Sequence, residues 1–130
     1  MLATRLRLGG AYAASPFSDF TLTAAADGGW TWFTDPRAVY YNGKAYFGYV
    51  DNSGNICIRT YTHATATVSA ETVLHAALQV DDHANPSILI RDSDKKLLVF
   101  YSSHDDTTMR LQISTTYPNV VLALDVLSTR

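Results

Sequence analysis

The sequence has little of several features that would identify a class of protein quickly. Its one cysteine, Cys57, excludes a disulfide within the chain, and we interpret it as a packed apolar residue. No apolar run approaches the roughly 20 residues of a membrane-spanning helix, which argues against a membrane partner. Gly9 and Gly10 interrupt the apolar stretch near the N-terminus, so we predict no secretory signal and assign no compartment.

Positive charge is also not in excess. Lys and Arg number 10 against 12 Asp and Glu, a formal net charge of -2, so we predict that nucleic acid is not a partner. Hydrophobic residues make up 47% and charged residues 17% of the 130 positions, which is typical of one folded domain. We predict an N-terminal arm over residues 1–17, ending at Ser15-Pro16, and a β domain over residues 18–130.

Short strands recur along the domain. Asn42-Gly43 predicts a type I′ hairpin turn, and other turn-forming residues separate further runs of strand length. Only residues 70–79 leave a short helix as an alternative to a strand. The predicted strands cover residues 19–24, 37–41, 44–51, 55–62, 67–74, 87–91, 96–101, 108–115 and 120–127.

An internal repeat relates the two halves of this series. Asp35-Pro36 matches Asn85-Pro86, and Lys44–Tyr49 matches Lys96–Tyr101, with an offset of roughly 50 residues. That period is typical of four-stranded propeller blades. We therefore predict an all-β fold of antiparallel four-stranded blades of the β-propeller type, with about two blades (35–75 and 84–127) in a partial propeller. A duplicated half of a β-sandwich is the alternative.

A propeller closes with about four to eight blades, so two blades leave open edges. Three explanations stay open at this point. The chain is a fragment of a longer protein, several copies assemble into a homo-oligomer or larger assembly that completes the propeller, or the edges pair in another way.

The second blade contains the stretch of the chain in which titratable residues are most concentrated. The turn at Asp92–Lys95 predicts a hairpin in which facing residues have numbers that sum to about 187. In that register His83 faces His104, whereas a slip of one residue would separate them. Four acidic residues surround this pair: Asp81, Asp82, Asp105 and Asp106.

Blade geometry extends this cluster to the first blade. Residues just before the inner strand of each blade gather at one mouth of a propeller channel, and such a cluster of polar and aromatic groups is a default candidate for a binding site. The predicted substrate-binding residues are Trp32, Asp35, Arg37, Asp82 and Asn85, and the candidate catalytic residues are His83 and His104.

Three interpretations of the two histidines follow from the residues alone. They cap the hairpin end and hydrogen-bond to its aspartates, they transfer protons near neutral pH, or they bind a metal such as zinc. The chain has no pair of histidines at the usual metal-binding spacing, so we predict no metal site and no cofactor.

The segment Asp27–Trp32 resembles the second half of an Asp-box, the structural turn of sialidase-type propellers. Ala25 stands where that motif usually has serine. Trp30 and Trp32 are interpreted as buried side chains, with stacking on a sugar ring as the alternative.

Longer motifs carry a further resemblance. The stretch Gly29–Val39, followed by Asn42–Val50, is similar to the opening of BNR-repeat (BNR-4 type) propeller proteins, and the segments Asp81–Pro86 and Phe100–His104 extend the similarity over about residues 27–115. That family is related to ulvan lyases, which cleave acidic, uronate-containing polysaccharides by β-elimination.

The resemblance implies a function and two roles. An acidic polysaccharide is the expected partner, His83 matches the lyase histidine, and His104 matches the histidine that ends the next strand. The family's catalytic tyrosine and arginine are expected in later blades, beyond Arg130, and Arg37 is a candidate clamp by position. We therefore expect a carbohydrate-recognising domain related to polysaccharide lyases, in which the residues of the later blades that lyase activity requires are not part of this sequence. The alternative is a non-enzymatic structural or adhesion module, of the kind found in phage virions.

Overall fold

The computed structural model describes residues 27–29 and 37–115 and the backbone of residues 122–125, and nearly all regular structure there is antiparallel β-sheet. A single short 3₁₀ helix, Asp82–Ala84, occurs within these residues. The strands are β1 (Ala38–Tyr41), β2 (Lys44–Val50), β3 (Ile56–Thr62), β4 (Thr67–Val68), β5 (Thr72–His75), β6 (Ser87–Ile90), β7 (Leu97–Tyr101), β8 (Arg110–Ser114) and β9 (Leu122–Asp125).

The first sheet begins with the predicted hairpin. Tyr41 pairs with Lys44 across a two-residue turn, and both turn residues have positive φ, 47° at Asn42 and 76° at Gly43. This is the type I′ geometry, whose twist matches that of the flanking strands. The strand order is β1-β2-β3-β4, and β5 also pairs with β3.

The strand predicted at residues 67–74 is interrupted in the structure. The interruption lies at Ser69, whose side chain takes over part of the hydrogen bonding to β3. Its Oγ accepts from Thr60 N at 3.0 Å, while its own N–H donates to Thr60 O at 2.8 Å. The chain then resumes as β5, so residues 72–75 form a strand and not the helix considered as an alternative.

The second sheet has the order β6-β7-β8-β9. Ser87 pairs with Phe100 and Ile88 with Val99, so facing residues sum to 187 and the predicted register is confirmed. The turn closes with a hydrogen bond of 2.7 Å from Lys95 N to Arg91 O, and Lys95 takes the positive φ of 58° that this four-residue loop requires.

The two sheets pack face to face, with β6 against β1 and β2. A Cβ on Gly48 would lie 2.5 Å from Pro86 Cγ, so only glycine permits the sheets to approach this closely. The core between them consists of Tyr46, Val50, Ile56, Ile58, Leu74, Ala84, Ile88, Leu97, Val99 and Tyr101.

Buried hydrogen bonds also join the sheets. Val50 N donates to Asn85 Oδ1 at 2.8 Å. Gln112 Nε2 donates across the sheets to Leu74 O at 2.6 Å, and within the second sheet to the Tyr101 hydroxyl at 2.9 Å. These side chains satisfy backbone groups that water does not reach, which fixes the position of one sheet against the other.

The prediction of an all-β fold with about two antiparallel, propeller-like blades is confirmed. The arm at 1–17, the strand at 19–24 and the two tryptophans lie outside the described residues, and the domain boundaries stay predictions. Within the described part of the chain, no helix has the length and apolar character needed to cross a membrane.

Candidate functional site

The candidate site lies at the open end of the β6–β7 hairpin. Asp81 is the N-cap of the 3₁₀ helix, with extended backbone (φ -154°, ψ 132°), and its Oδ1 accepts from His83 N at 2.8 Å. An aspartate at this position satisfies a backbone donor that the helix leaves open. The short helix thus turns His83 toward the end of β7.

His83 and His104 are in contact, as the hairpin register predicts. Their rings stack with centroids 4.3 Å apart and an interplanar angle of 22°. Asp81 bridges them, with Oδ1 2.8 Å from His83 Nδ1 and Oδ2 2.9 Å from His104 Nδ1. One carboxylate therefore orients both imidazoles.

This arrangement determines where protons are held. A carboxylate oxygen accepts from the Nδ1–H of each ring, so in a neutral imidazole the basic lone pair lies on Nε2. The side chains of His83 and His104 are 46% and 45% exposed, so a ligand in solution can reach both rings.

The local charge favours the protonated form of His104. Its pKa is raised, first by the hydrogen bond with Asp81 and then by the charge of Asp105, whose Oδ1 lies 3.8 Å from His104 Nε2. The pKa of the Asp81 carboxyl is held well below its usual value by hydrogen bonds from the His83 backbone N–H, the His104 ring and the His83 ring.

Of the remaining two acidic residues, Asp82 lies at the site and Asp106 lies in the loop that follows β7. Asp82 Oδ1 lies 3.1 Å from His83 Nδ1, which places it at the site. Asp106 instead accepts from Arg110 at 2.7 Å and from Ser103 at 3.0 Å, and these bonds lower the pKa of its carboxyl. Asp106 therefore organises the loop that follows β7.

A residue that the sequence analysis missed, Gln79, also holds the site. Its Oε1 accepts from His104 N at 2.6 Å. Gly54 positions this part of the connection, because its O accepts from Leu78 N at 2.8 Å and a Cβ there would lie 2.6 Å from Gln79 C. The glycine of the turn Asn52-Ser53-Gly54 was the available signal, but nothing in the sequence shows which segment it contacts.

The remaining predicted site residues have different positions. Asn85 is buried, 6% exposed, and its amide joins Val50 and Gly29. Arg37 precedes β1, where its O accepts from Gly48 N at 3.1 Å, close in sequence to Val50. Trp32 and Asp35 lie outside the described residues. Substrate binding by these residues and by Asp82 stays a prediction.

Among the residues that the structure describes, two groups of side chains have the donor types of a metal site. They are Asp81 with His83 and His104, and Asp51 with Cys57 and Glu71; within each group the ligand atoms lie within 4.8 Å of one another. In the first group the hydrogen bonds described above already account for the geometry. In the second group, Asp51 accepts a hydrogen bond from Asn55 and Glu71 forms an ion pair with Arg59. The pKa of the Cys57 thiol is raised to about 12, mainly by burial and then by the negative charges of Glu71 and Asp51.

Comparison with solved structures finds similarity in fold to an ulvan lyase of polysaccharide lyase family PL25. One structure gives a TM-score of 0.56, and a second, bound to -[GlcA(1-4)Rha3S]-, a glucuronate–rhamnose 3-sulfate oligosaccharide, gives 0.57. Each is 18% identical in sequence, and the match covers 66% of this chain. The chain spans only 24% of the length of these lyases.

No curated protein sequence matches the chain. The sequence does match the BNR repeat-containing family over residues 44–125, which include the hairpin, the 3₁₀ helix and both histidines. This agrees with the family to which the sequence motifs are similar. Since the match covers more than half of the 130 residues, the chain belongs to the BNR repeat-containing family.

Proposed function

We propose that the chain is a carbohydrate-recognising domain for acidic, uronate-containing polysaccharides, related to polysaccharide lyases, and that the ligand contacts His83 and His104. The observation that carries the proposal is the stacked, half-exposed imidazole pair on one carboxylate. The fold similarity to a lyase solved with a glucuronate oligosaccharide supports the choice of ligand.

Electrostatics determine how an anion binds at this surface. Asp81, Asp82 and Asp105 are all near the rings, so an uncharged histidine pair would present a net negative surface to the glycan. Protonated His104, whose pKa is raised, supplies the positive charge that a uronate carboxylate needs. Binding should therefore strengthen as the pH falls toward the range in which His104 is protonated.

The same pair is suited to β-elimination. His83 Nε2 would take the proton from C5 of the uronate, the electron pair would form the C4–C5 double bond, and the C4–O glycosidic bond would break, with its oxygen taking a proton from water. His104 would stabilise the charge that develops on the carboxylate during proton removal. These roles assign His83 as base and His104 as the neutralising group.

Residues of the first sheet would extend the binding surface. Arg37 lies at the end of the sheet where Val50 contacts Asn85, the residue that follows the 3₁₀ helix. We propose Trp32, Asp35, Arg37, Asp82 and Asn85 as substrate-binding residues.

An elimination assay on a glucuronate-containing polysaccharide tests the proposal. Unsaturated uronate absorbs in the ultraviolet, so turnover is followed directly, while glycan binding is measured in parallel by calorimetry. We expect binding by the wild-type chain and its weakening in His104→Ala, and any turnover should be lost in His83→Ala. His63→Ala is the matched control, because that histidine packs on Tyr61 away from the site.

The outcomes separate the candidate functions. Turnover that survives His83→Ala would contradict the catalytic role. Binding without turnover, weakened by His104→Ala, indicates a recognition domain. Binding that neither histidine variant alters would contradict this site and favour an adhesion module that binds elsewhere.

A further inference from the structure

A third histidine, His75, lies where the two sheets meet. It is the last residue of β5, and its half-buried ring makes a T-shaped contact with the ring of Tyr101, with centroids 5.7 Å apart and an interplanar angle of 86°. Tyr101, at the end of β7, is 2% exposed. The contact therefore joins the end of a strand in the first sheet to the core side of the second.

A buried side chain holds the neighbouring backbone. Leu74 O accepts a hydrogen bond of 2.6 Å from Gln112 Nε2, and the same nitrogen donates to the Tyr101 hydroxyl at 2.9 Å. Gln112 is 2% exposed, so groups that water does not reach bind the end of β5 to the second sheet. Because Leu74 and His75 are adjacent in the chain, a movement of His75 away from Tyr101 disturbs these bonds as well.

The segment that supports the candidate site begins directly after His75. In this segment Leu78 N donates to Gly54 O at 2.8 Å, and Gln79 Oε1 accepts from His104 N at 2.6 Å. Gln79 follows β5 by only a few residues, so the position of the strand end limits where its side chain can lie. The contact at His75 is thereby connected to the backbone of His104.

The surroundings of His75 disfavour a positive charge. Burial, and then the charge of Arg110, lower the pKa of its imidazole. Arg110 pairs with Tyr101 in the β7–β8 ladder, and its guanidinium donates to Asp106 at 2.7 Å. The groups that face His75 are thus a phenol ring from β7 and a cation from β8, while its partner in β3 is the uncharged Ile56.

We propose that His75 is an acid-sensitive positioning residue, whose protonation releases the end of β5 from Tyr101 and withdraws Gln79 from His104. A charged imidazole is better solvated in water than against a buried ring, so the protonated side chain turns outward. The strand end and the connection move with it. The effect on glycan binding rests on the proposed function, whereas the release itself is a property of the fold.

The two histidines titrate on opposite sides of the ordinary histidine value of 6.5, since the pKa of His104 is raised and that of His75 is lowered. Glycan binding should therefore strengthen as His104 is protonated and weaken again, at lower pH, as His75 is protonated. The unfolded chain binds a proton at His75 near pH 6.5 and the folded chain only below it. His75 thus stabilises the fold fully above pH 6.5, and this stabilisation is lost as the pH falls through the folded-state pKa.

Nuclear magnetic resonance titration of the wild-type chain tests the release without a ligand. The imidazole signal of His75 reports its protonation, and the amide signal of His104 reports the bond to Gln79. Gln79→Ala gives the amide position without that bond. We expect the His104 amide to shift toward this position with the midpoint of the His75 titration, in a step separate from that of the His104 ring. An amide that stays in place while His75 titrates would overturn the inference.

Variants of His75 identify the group responsible. His75→Phe keeps an aromatic ring against Tyr101 but cannot titrate, so the acid step of the His104 amide should disappear. His75→Gln is the second variant, for use where circular dichroism shows that the phenylalanine disturbs the fold. His63→Phe is the matched control and should keep the step, because that histidine contacts Tyr61 within the first sheet. A step that persists in the folded His75 variants would contradict the role of His75.

Calorimetry with the glucuronate-containing polysaccharide connects the release to binding. Wild-type affinity should pass through a maximum and decrease on its acid side, and His75→Phe should lose this decrease while keeping the rise that His104 causes. An equal decrease in both proteins would contradict the link between His75 and the site. A chain that binds no glycan at any pH would contradict the proposed function, and the amide titration would still decide whether His75 controls the Gln79 bond.

Discussion

Asp81 accepts a hydrogen bond from His83 through one carboxylate oxygen and from His104 through the other, at 2.8 and 2.9 Å. The two histidines, one before β6 and one after β7, are thereby held in a stack by a single side chain. The carboxylate sets the orientation of both rings, while the exposed part of the stack stays accessible to a ligand. The chemistry of the pair therefore depends on Asp81.

Replacing the Asp81 carboxylate with an amide tests whether this side chain sets the pKa of His104. In Asp81→Asn the negative charge is lost, so we expect the pKa of His104 to fall toward the ordinary histidine value of 6.5. Nuclear magnetic resonance titration of the imidazole protons measures the change. Asp92→Asn is the control, because Asp92 pairs with Lys95 in the distant hairpin turn; an unchanged His104 pKa in Asp81→Asn would contradict the bridge.

The same substitution changes how stability depends on pH. The lowered pKa of Asp81 stabilises the fold above its unfolded-state value near 3.8, and this stabilisation is lost as the pH falls. The raised pKa of His104 stabilises the fold below 6.5, and this stabilisation is lost as the pH rises through the folded-state pKa. Thermal unfolding of wild type and Asp81→Asn should therefore differ most between pH 3.8 and 6.5. A difference that is constant with pH would show that the charges are not involved.

A buried amide joins the two sheets, and removing it should cost stability. Asn85→Ala leaves the Val50 N–H without its acceptor in the core, which we expect to lower the free energy of unfolding by about 1–3 kcal/mol. Urea denaturation measures the change, and Asn52→Ala in the exposed β2–β3 turn should be near neutral. An equal effect of the two substitutions would mean that the Asn85 contact does not stabilise the fold.

Cys57 should report on unfolding. The residue is 0% exposed, and burial with the Glu71 and Asp51 carboxylates raises the pKa of its thiol to about 12, so little reactive thiolate exists near neutral pH. We expect negligible labelling by a thiol reagent in buffer and rapid labelling in denaturant. Cys57→Ser provides the blank. Fast labelling of the folded chain would contradict the burial of this strand.

The register at the candidate site could be predicted because it depends on local turn chemistry. The polar turn at Asp92–Lys95 sets which residues face each other, and apolar runs on both sides leave little room for a slip. That was sufficient to predict the contact between His83 and His104, although the 3₁₀ helix that carries His83 was not predicted.

Features that depend on contacts between distant segments could not be predicted in this way. Gln79 reaches His104 across 25 positions of the sequence, and no periodicity or turn signal identifies that partner. The interruption between β4 and β5 depends on Ser69 competing with the ladder at Thr60. Asp106 looked equivalent to Asp81 in the sequence, but its pairing with Arg110 takes it into a turn.

The contact between Gln79 and His104 has a consequence for protein engineering. Gln79 belongs to the connection that Gly54 holds against the first sheet, while His104 follows a strand of the second. Asn85 likewise ties the helix carrying His83 to Val50. A single blade grafted onto another scaffold would carry both imidazoles but lose the supports that aim them, so the smallest transplantable unit comprises both sheets.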